Sequence, residues 1–474
     1  MNTPHIPDGL TLTPFEWTMS NELSGSVMEF VIRLCCTGPT DVERFNEAIT
    51  RALTQHPLLQ ANATFGPTHL KSFWQAATDA APDIQWIDGD PLPGRGATDD
   101  YQPIDLSDET GFRFYGWQYQ SDGFPRTEMR FVFHHACCDG KGAISFIEHV
   151  LCYYKLLKEG KCDAMPSFDG DSILNRGERA SYKTSIGDRI RRTFVVKPKR
   201  VANMLFAIPL SLDASEISAD QLADPPCQCS VTLDETTTKK LGDYAASVGA
   251  TTNLVLAREL FHVLGERLES GESKSVGSRG ANLLRLMIPF SLRDEMHQRM
   301  PAANCVSMAY LEARLDSLDH DKEENSFLLA DLVKQLAFIR RWQLQYSWIE
   351  SIKSYARVWP LLRLFKGSQK KGSDRQVSTT VLSNLGRVFS SGSLSTSAGR
   401  IKIDELEIET VHLVLPCTGK QRINFTVNFY CNRLTLDVSW LPSVTRETAR
   451  KLLNSWHSRI LEAADSCPTL PEGA

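Results

Sequence analysis

The segment of this sequence with the clearest chemical content is HHACCDG, residues 134–140. An imidazole has an ordinary pKa near ~6.5, so either of its two histidines could accept a proton at neutral pH as a general base. Asp139 could form a dyad with one of them. A thiol beside a histidine could instead act as a nucleophile, although Cys137 and Cys138 are small enough that simple space filling is the favoured interpretation. The plainest alternative is a pair of buried histidines at the end of a strand.

The residues that precede this segment predict a strand that would position it. FRFYGWQY and TEMRFVFHH (127–135) indicate two strands joined by the turn SDGFP. Neighbouring residues of a strand point to opposite faces, so we expect one histidine to face a reaction channel and the other to be held in the core. A helix should begin after Asp139-Gly140 and pack on a sheet, because it has an apolar face formed by Ile144, Ile147 and Tyr154.

The rest of the chain indicates a succession of strands and helices. In the first part, VMEFVIRLCC (27–36) predicts a strand, Asp41 caps a helix that Pro57 ends, and LLQANATF predicts another strand. In the second part we expect the strands CQCSVTLDE and LLRLMIPFSL (283–292), helices at TTTKKLGDYAAS and from Thr251, a hairpin of QRINFTVNFYCN and RLTLDVSWLP, and a terminal helix. A basic stretch around 176–200 predicts a crossover linker.

Size and composition limit the function classes. A chain of 474 residues predicts two domains, and its 42% hydrophobic and 23% charged residues are typical of a globular protein. The net charge of −5 gives no reason to expect nucleic acid as a partner. Without a secretory signal, and with a longest apolar stretch (201–212) well short of the ~20 residues of a spanning helix, we expect a cytoplasmic location. The 12 cysteines lack zinc-site spacing, so we expect no metal site.

Several motifs in a fixed order resemble one superfamily of acyltransferases. HHxxxDG is the signature of chloramphenicol acetyltransferase-like enzymes, which include condensation domains of peptide synthetases and alcohol acetyltransferases. HPLLQA (56–61), GATTNLVLA (249–257), PFSLRDEM (289–296) followed by Asn304, and VLSNLG (381–386) resemble further family motifs, with Leu254 where the family usually has Asp. Each motif alone is weak, but their order and spacing together are specific.

The resemblance implies a fold and a catalytic site. The fold would be α+β, with two chloramphenicol acetyltransferase-like subdomains forming a V with a central channel. We place the N-terminal subdomain at 1–175, the basic crossover linker at 176–215 and the C-terminal subdomain at 216–474. The general base would be His135, with His134 and Asp139 also in the catalytic segment.

The resemblance also assigns supporting residues. Asp139 would be structural and would form an ion pair with Arg293, the arginine of S-L-R. Gly140 would leave room for substrate or for a tight turn, and these two roles stay open. Ser383 and Asn384 are candidates for oxyanion or substrate contacts, with a turn cap as an equally good alternative.

No cofactor is expected to stay bound. The co-substrate would be a thioester, either acyl-CoA or an acyl-carrier protein with its phosphopantetheinyl group, and the acceptor a small-molecule alcohol or amine. The closing DFGWG of plant and fungal members is absent, as are the motifs of wax synthases, so a free-standing enzyme that resembles alcohol acetyltransferases or condensation domains fits best. An amide-forming condensation enzyme and a non-catalytic protein that binds a carrier protein are the alternatives.

Two basic stretches could contact such partners. The cations of the linker, Arg189, Arg191, Arg192, Lys197, Lys199 and Arg200, could contact CoA phosphates or an acidic carrier protein. The segment 348–371 mixes aromatic, aliphatic and basic residues and could make a peripheral membrane contact. A solvated helix face or loop is the favoured alternative for both.

Overall fold

A computed structural model of the protein describes residues 6–19, 26–77, 82–91, 101–162, 165–178, 185–197, 199, 207–212, 222, 224–270, 282–318, 327–347, 349–350, 377–390, 394 and 399–466. Its secondary structure combines helices with two six-stranded sheets and one two-stranded sheet. The α+β class expected from the sequence is confirmed.

The first large sheet forms mainly from the first part of the chain. Its strand order is β11-β12-β1-β6-β5-β4. The strands are β1 (Glu29–Thr37), β4 (Asp83–Ile87), β5 (Phe112–Ser121), β6 (Phe124–His134), β11 (Lys402–Ile403) and β12 (Leu406–Val414). The core beneath it includes residues from helices α2 (Val42–Leu53) and α3 (Gly140–Glu159), such as Phe45 and Phe146, which are both fully buried.

The second large sheet has strand order β7-β14-β13-β10-β8-β9. The strands are β7 (Cys227–Thr232), β8 (Leu283–Ser291), β9 (Val306–Arg314), β10 (Thr380–Arg387), β13 (Ile423–Tyr430) and β14 (Arg433–Trp440). Helices α5 (Glu235–Ser247), α6 (Thr252–Glu269), α7 (Phe327–Arg341) and α8 (Arg446–Asp465) contribute to its core. The Trp456 indole N–H donates to the Leu256 carbonyl at 3.1 Å and so joins α8 to α6.

Local signals in the sequence explain many of these elements. Asp41 accepts a hydrogen bond from the Arg44 N–H at 3.2 Å and caps α2 as predicted. The β5–β6 hairpin turns at Asp122-Gly123. Both residues have a positive φ, 54° and 79°, as a common type of two-residue hairpin turn requires. The β13–β14 hairpin turns in the same way at Cys431-Asn432, with φ of 51° and 57°.

Two strand predictions need correction. Pro57–Gln60 forms a 3₁₀ turn, and only Ala61–Thr64 (β2) is a strand, paired with β3 (Phe73–Ala76) in the two-stranded sheet. The apolar Leu58 and Leu59 are fully buried in this turn, so their hydrophobicity reflects core packing and not a strand. The strand β6 ends at His134, and His135 begins the following turn.

The division at 176–215 stays a prediction. Arg176, its first residue, is buried and donates two hydrogen bonds to the carboxylate of Glu16, which lies in the first turn of helix α1 (Pro14–Thr18). Farther on, α4 (Ile186–Arg191) continues into π-type turns at Arg192–Val196. The strands β11 and β12 come from the stretch assigned to the C-terminal subdomain, yet they extend the first sheet.

Candidate active site

The catalytic segment forms the connection between β6 and α3. The His134 N–H donates to the Gly111 carbonyl at 2.9 Å, and the His135 N–H donates to the Met28 carbonyl at 2.7 Å. The chain then turns back, because the Cys137 N–H donates to the His134 carbonyl at 2.9 Å. Both histidine backbones are therefore held by the first sheet and the residues beside it.

His134 is a buried neutral imidazole. Its Nδ1 accepts a hydrogen bond from the Ala136 N–H at 3.2 Å, so its ring proton lies on Nε2. Burial and the neighbouring His135 lower the pKa of His134 to about 3. Its environment therefore suits a positioning role in the core.

His135 has the opposite tautomer. Its Nδ1 lies 3.2 Å from the Cys138 carbonyl oxygen, which can only accept, so Nδ1 must carry the ring proton. The lone pair of Nε2 is therefore free to take a proton. The His135 side chain is half-buried and lies edge-on to Phe30, with ring centroids 5.2 Å apart. Burial lowers the pKa of His135, which favours the neutral form at pH 7.

Asp139 connects this segment to the second half of the chain. One carboxylate oxygen, Oδ1, accepts from the Gly142 N–H at 2.9 Å and caps α3. The other, Oδ2, accepts from Arg293 Nη1 at 2.6 Å and from the Cys305 N–H at 2.8 Å. The predicted contact between Asp139 and Arg293 is present. Although burial opposes ionisation, Arg293 and these N–H groups hold the pKa of Asp139 below its usual range.

A second connection reaches the backbone of the base. The Asn304 side-chain amide donates to the His135 carbonyl at 2.6 Å. Arg293 Nη2 donates to the Ala303 carbonyl at 2.9 Å, which fixes the same loop before β9. This loop therefore positions both His135 and Asp139. The sequence motif had pointed to Asn304, but it did not predict the hydrogen bond from Asn304 to the His135 carbonyl.

Gly140 packs against β10, and its predicted role of leaving room for substrate stays a prediction. A methyl group on its Cα would lie 2.5 Å from Leu385 Cδ2, so a larger residue would collide with this side chain of β10 unless the leucine moved. Its φ is not in the left-handed region, so the turn does not require glycine. Gly140 permits close packing of α3 against the VLSNLG segment.

Ser383 and Asn384 lie on β10. Ser383 is buried and in register with Thr426 of β13. The Asn384 side-chain oxygen accepts from the Gly386 N–H at 2.6 Å, and its amide contacts the Asn253 side chain. These contacts agree with the turn-cap interpretation of Asn384. In the described part of the chain neither side chain hydrogen-bonds to the His135 ring, and their oxyanion role stays a prediction.

The two cysteines of the segment are packing residues in this structure. Cys137 and Cys138 are fully buried, and burial raises the pKa of both thiols well above the ordinary value. A methyl group on Gly111 would collide with Cys137 Sγ, which shows how tightly this sulfur is packed. A protonated, enclosed thiol is a poor nucleophile.

A cavity of about 1020 Å³ lies beside the catalytic segment, and all of its lining residues except Lys141 come from the second half of the chain. Lys141, the residue after Gly140, contributes to its wall, whereas His135 does not. The wall of the cavity combines apolar and polar residues. The apolar residues include Leu254, Ile288, Phe290, Leu311, Leu336, Ile339 and Leu382, and the polar residues include Lys141, Lys239, Asp243, Asn253, Arg340, Asn384 and Arg387. Sequence reasoning missed this cavity as a whole, because its walls come from separate helices and strands without a common motif.

The basic linker cations are partly engaged within the protein. Arg191 stacks over the Trp342 ring at 5.4 Å, and Arg192 and Lys197 both contact the Glu350 carboxylate. Arg200, most of 348–371 and the Arg189 side chain lie outside the described residues, so the donor and membrane contacts of these stretches stay predictions. No helix among the described residues is long and apolar enough to cross a membrane.

Comparisons with known proteins establish the fold. No protein-family model matches the sequence, and no curated protein is similar enough to count as a relative. Solved structures do match over nearly the full chain. The first condensation domain of the calcium-dependent antibiotic synthetase, solved with a substrate analogue, is 16% identical with a TM-score of 0.60, and the match covers 98% of each chain.

Two further structures carry the same fold. A variant of the starter condensation domain of rhizomide synthetase, solved with C8-CoA, is 14% identical with a TM-score of 0.63 over 97% of this chain and 95% of that one. Trichothecene 15-O-acetyltransferase from Fusarium sporotrichioides is 11% identical with a TM-score of 0.64, covering 96% and 95%. The predicted chloramphenicol acetyltransferase-like fold is confirmed.

Proposed function

Because this chain has the fold shared by condensation domains and an O-acetyltransferase, we propose that it is an acyltransferase with His135 as general base. It moves an acyl group from a thioester to a hydroxyl or an amine. The observation that carries the proposal is the tautomer of His135, whose Nδ1–H is bound to the Cys138 carbonyl at 3.2 Å and leaves Nε2 unprotonated.

The proposed step follows from this arrangement. Nε2 of His135 accepts the proton of the acceptor O–H or N–H as that group attacks the thioester carbonyl. The tetrahedral intermediate then collapses, the carbon–sulfur bond breaks, and the leaving thiolate takes the proton from the imidazolium. The backbone bonds to Met28 and Asn304 keep the ring in place during both transfers.

We assign the acyl chain of the donor to the cavity beside Lys141. Its volume of about 1020 Å³ is at the upper end of the range usual for small-molecule sites. The apolar residues of its wall suit an alkyl chain, and Lys141 suits the anionic groups of a CoA or phosphopantetheinyl donor. The C8-CoA in the structure of the rhizomide condensation domain favours acyl-CoA as the first donor to test.

The acceptor, an alcohol or an amine, distinguishes an O-acyltransferase from an amide-forming condensation enzyme. The match over 98% of the condensation domain of the antibiotic synthetase favours amide formation as the second candidate. Thiol release should therefore be measured with acyl-CoAs of increasing chain length, with panels of alcohols and of amines as acceptors. Ester products support the O-acyltransferase, amide products support the condensation enzyme, and no product with any donor supports a binding protein.

Paired histidine variants test the base. His135→Ala should reduce turnover by ~10²–10⁴-fold while the unfolding midpoint stays close to that of the wild type. His134→Ala is the matched control, because its ring is buried and accepts a backbone hydrogen bond, so it should lower stability. Full turnover in the His135 variant would show that this imidazole is not the base.

A further inference from the structure

A second group of catalytic residue types lies away from His135, where the two large sheets meet. His412 of β12 and Asp437 of β14 face each other across this junction, and His412 Nδ1 lies 2.9 Å from Asp437 Oδ1. Asp437 is fully buried, and its other oxygen accepts from the Leu413 N–H at 3.1 Å. The carboxylate therefore fixes the orientation of the imidazole, as an orienting acid does in a catalytic triad.

The imidazole of His412 also has a thiol as a neighbour. Cys35 lies on β1 opposite Thr410 in the pairing of β1 with β12, so its side chain is on the same sheet face as His412. The remaining ring nitrogen, Nε2, lies 2.9 Å from the Thr410 hydroxyl. Because Nδ1 is bound to Asp437, Nε2 is the nitrogen that can exchange a proton with the thiol. Cys35, His412 and Asp437 thus form a nucleophile–base–acid series.

The groups around Cys35 lower the pKa of its thiol. Burial would raise this pKa, and Glu128 opposes ionisation too, but His412 and Arg33 together lower it. Asp437 and Cys35 raise the pKa of His412 to about 9 against the effect of burial. A thiolate paired with an imidazolium is the reactive form of a nucleophilic cysteine.

Two more observations indicate that this group can react with a ligand. Cys35 is half-buried, whereas the neighbouring Cys36 is buried in the core on the opposite face of β1. Arg33, two residues earlier on the face of Cys35, donates from Nη2 to Glu128 at 2.8 Å, but its buried Nε has no hydrogen-bond partner among the described residues. This leaves one donor on the same strand face that could stabilise a developing oxyanion.

We propose that Cys35, His412 and Asp437 form a second nucleophilic site, at which Cys35 is acylated by a thioester. The Cys35 thiolate attacks the thioester carbonyl, a new carbon–sulfur bond forms, and the bond to the donor sulfur breaks. The leaving thiolate takes its proton from the His412 imidazolium, so a free thiol and S-acyl-Cys35 are the products. The proposal rests on the proposed function only in its choice of thioester as the electrophile.

A disulfide between Cys35 and the neighbouring Cys36 is not a good alternative to acylation of Cys35. Adjacent strand residues point to opposite faces, and burial raises the pKa of the Cys36 thiol well above the ordinary value. The closest thiol in sequence is therefore unsuited to resolve an oxidised Cys35.

The experiment uses the full chain with acetyl-CoA at pH 7, followed by intact mass and peptide mapping. Wild type and His135→Ala should each gain an acetyl group on Cys35 that neutral hydroxylamine removes, and Cys35→Ser should gain none there. His412→Gln should slow the acetylation by at least ~10-fold, since it removes the imidazolium that stabilises the Cys35 thiolate and protonates the leaving thiolate. Asp437→Asn serves as a second variant if His412→Gln does not fold.

Alkylation by iodoacetamide tests the thiolate without a thioester. In the wild type the rate at Cys35 should reach half its maximum below the pH of ~8.5 usual for a free thiol, and His412→Gln should move this midpoint upward. Acetylation of Cys35 in a protein without transfer activity would overturn only the function proposed for His135. Transfer activity with unmodified Cys35, or equal acetylation rates in wild type and His412→Gln, would overturn the second site.

Discussion

Replacing Asp139 by alanine tests whether this residue is structural or catalytic. In the folded protein its carboxylate accepts from the Gly142 N–H, Arg293 Nη1 and the Cys305 N–H, at 2.9, 2.6 and 2.8 Å. The Asp139→Ala variant loses all three bonds at once. It leaves Arg293 next to a buried backbone N–H, without a carboxylate to balance its charge.

The magnitude follows from burial. Removing one partner of a fully buried ion pair costs ~3–5 kcal/mol, and losing a helix cap costs ~1 kcal/mol. The Asp139 side chain is 6% exposed but that of Arg293 is 20% exposed, so water can partly solvate the stranded guanidinium. We therefore expect a loss of ~3 kcal/mol in the free energy of unfolding, which lowers the unfolding midpoint by roughly 3 °C when all 474 residues unfold together.

Thermal and urea unfolding of the variant should be measured together with turnover. Thr445→Ala is the matched control, because Thr445 caps α8 by accepting from the Thr448 N–H at 3.2 Å without a buried ion pair, and it should cost only ~1 kcal/mol. The loss of unfolding free energy in Asp139→Ala should be constant from pH 6 to 8. The folded pKa of Asp139 lies below its usual range, so its stabilisation is present above pH ~4 and is lost as the pH falls through that lower value.

The opposite result would refute this reasoning. If Asp139→Ala unfolds at the wild-type midpoint but has lost turnover, the carboxylate acts in the chemistry and the structural role is wrong. Arg293→Lys offers a further check, because lysine keeps the charge but cannot donate to both Asp139 and the Ala303 carbonyl through one planar group.

Three further predictions concern the catalytic segment. Since burial lowers the pKa of His135 from 6.5, turnover should rise with pH to a midpoint below 6.5 and stay level from pH 7 to 8; a midpoint above 7 would contradict the assignment. Replacing Cys137 and Cys138 together by alanine should preserve turnover, whereas a folded but inactive double variant would indicate a thiol nucleophile. Gly140→Ala should destabilise the protein by ~1–3 kcal/mol through its collision with Leu385, and Leu385→Ala should recover part of that loss in unfolding measurements.

The sequence was sufficient to predict features that depend on local chemistry. The cap at Asp41, the helix that starts after Asp139 and the hairpin around Asp122-Gly123 each depend on a few consecutive residues. The order of the motifs was sufficient to predict the fold through resemblance. The contact of Asp139 with Arg293 came from that resemblance as well, because 154 residues separate them.

Tertiary structure alone decided the features that depend on distant partners. The tautomers of His134 and His135 depend on which backbone group lies next to each Nδ1, a carbonyl for His135 and an N–H for His134. Because both residues are histidines, the sequence could not distinguish the two tautomers. Leu385 packs so closely against Gly140 that a larger side chain at position 140 would collide with it, and no local sequence signal links these two residues. The strand β12 joins the first sheet through its pairing with β1, far away in the chain. Only that pairing places Cys35 next to His412. The chemistry of a side chain determines which reactions it can take part in, but long-range packing determines which groups it contacts.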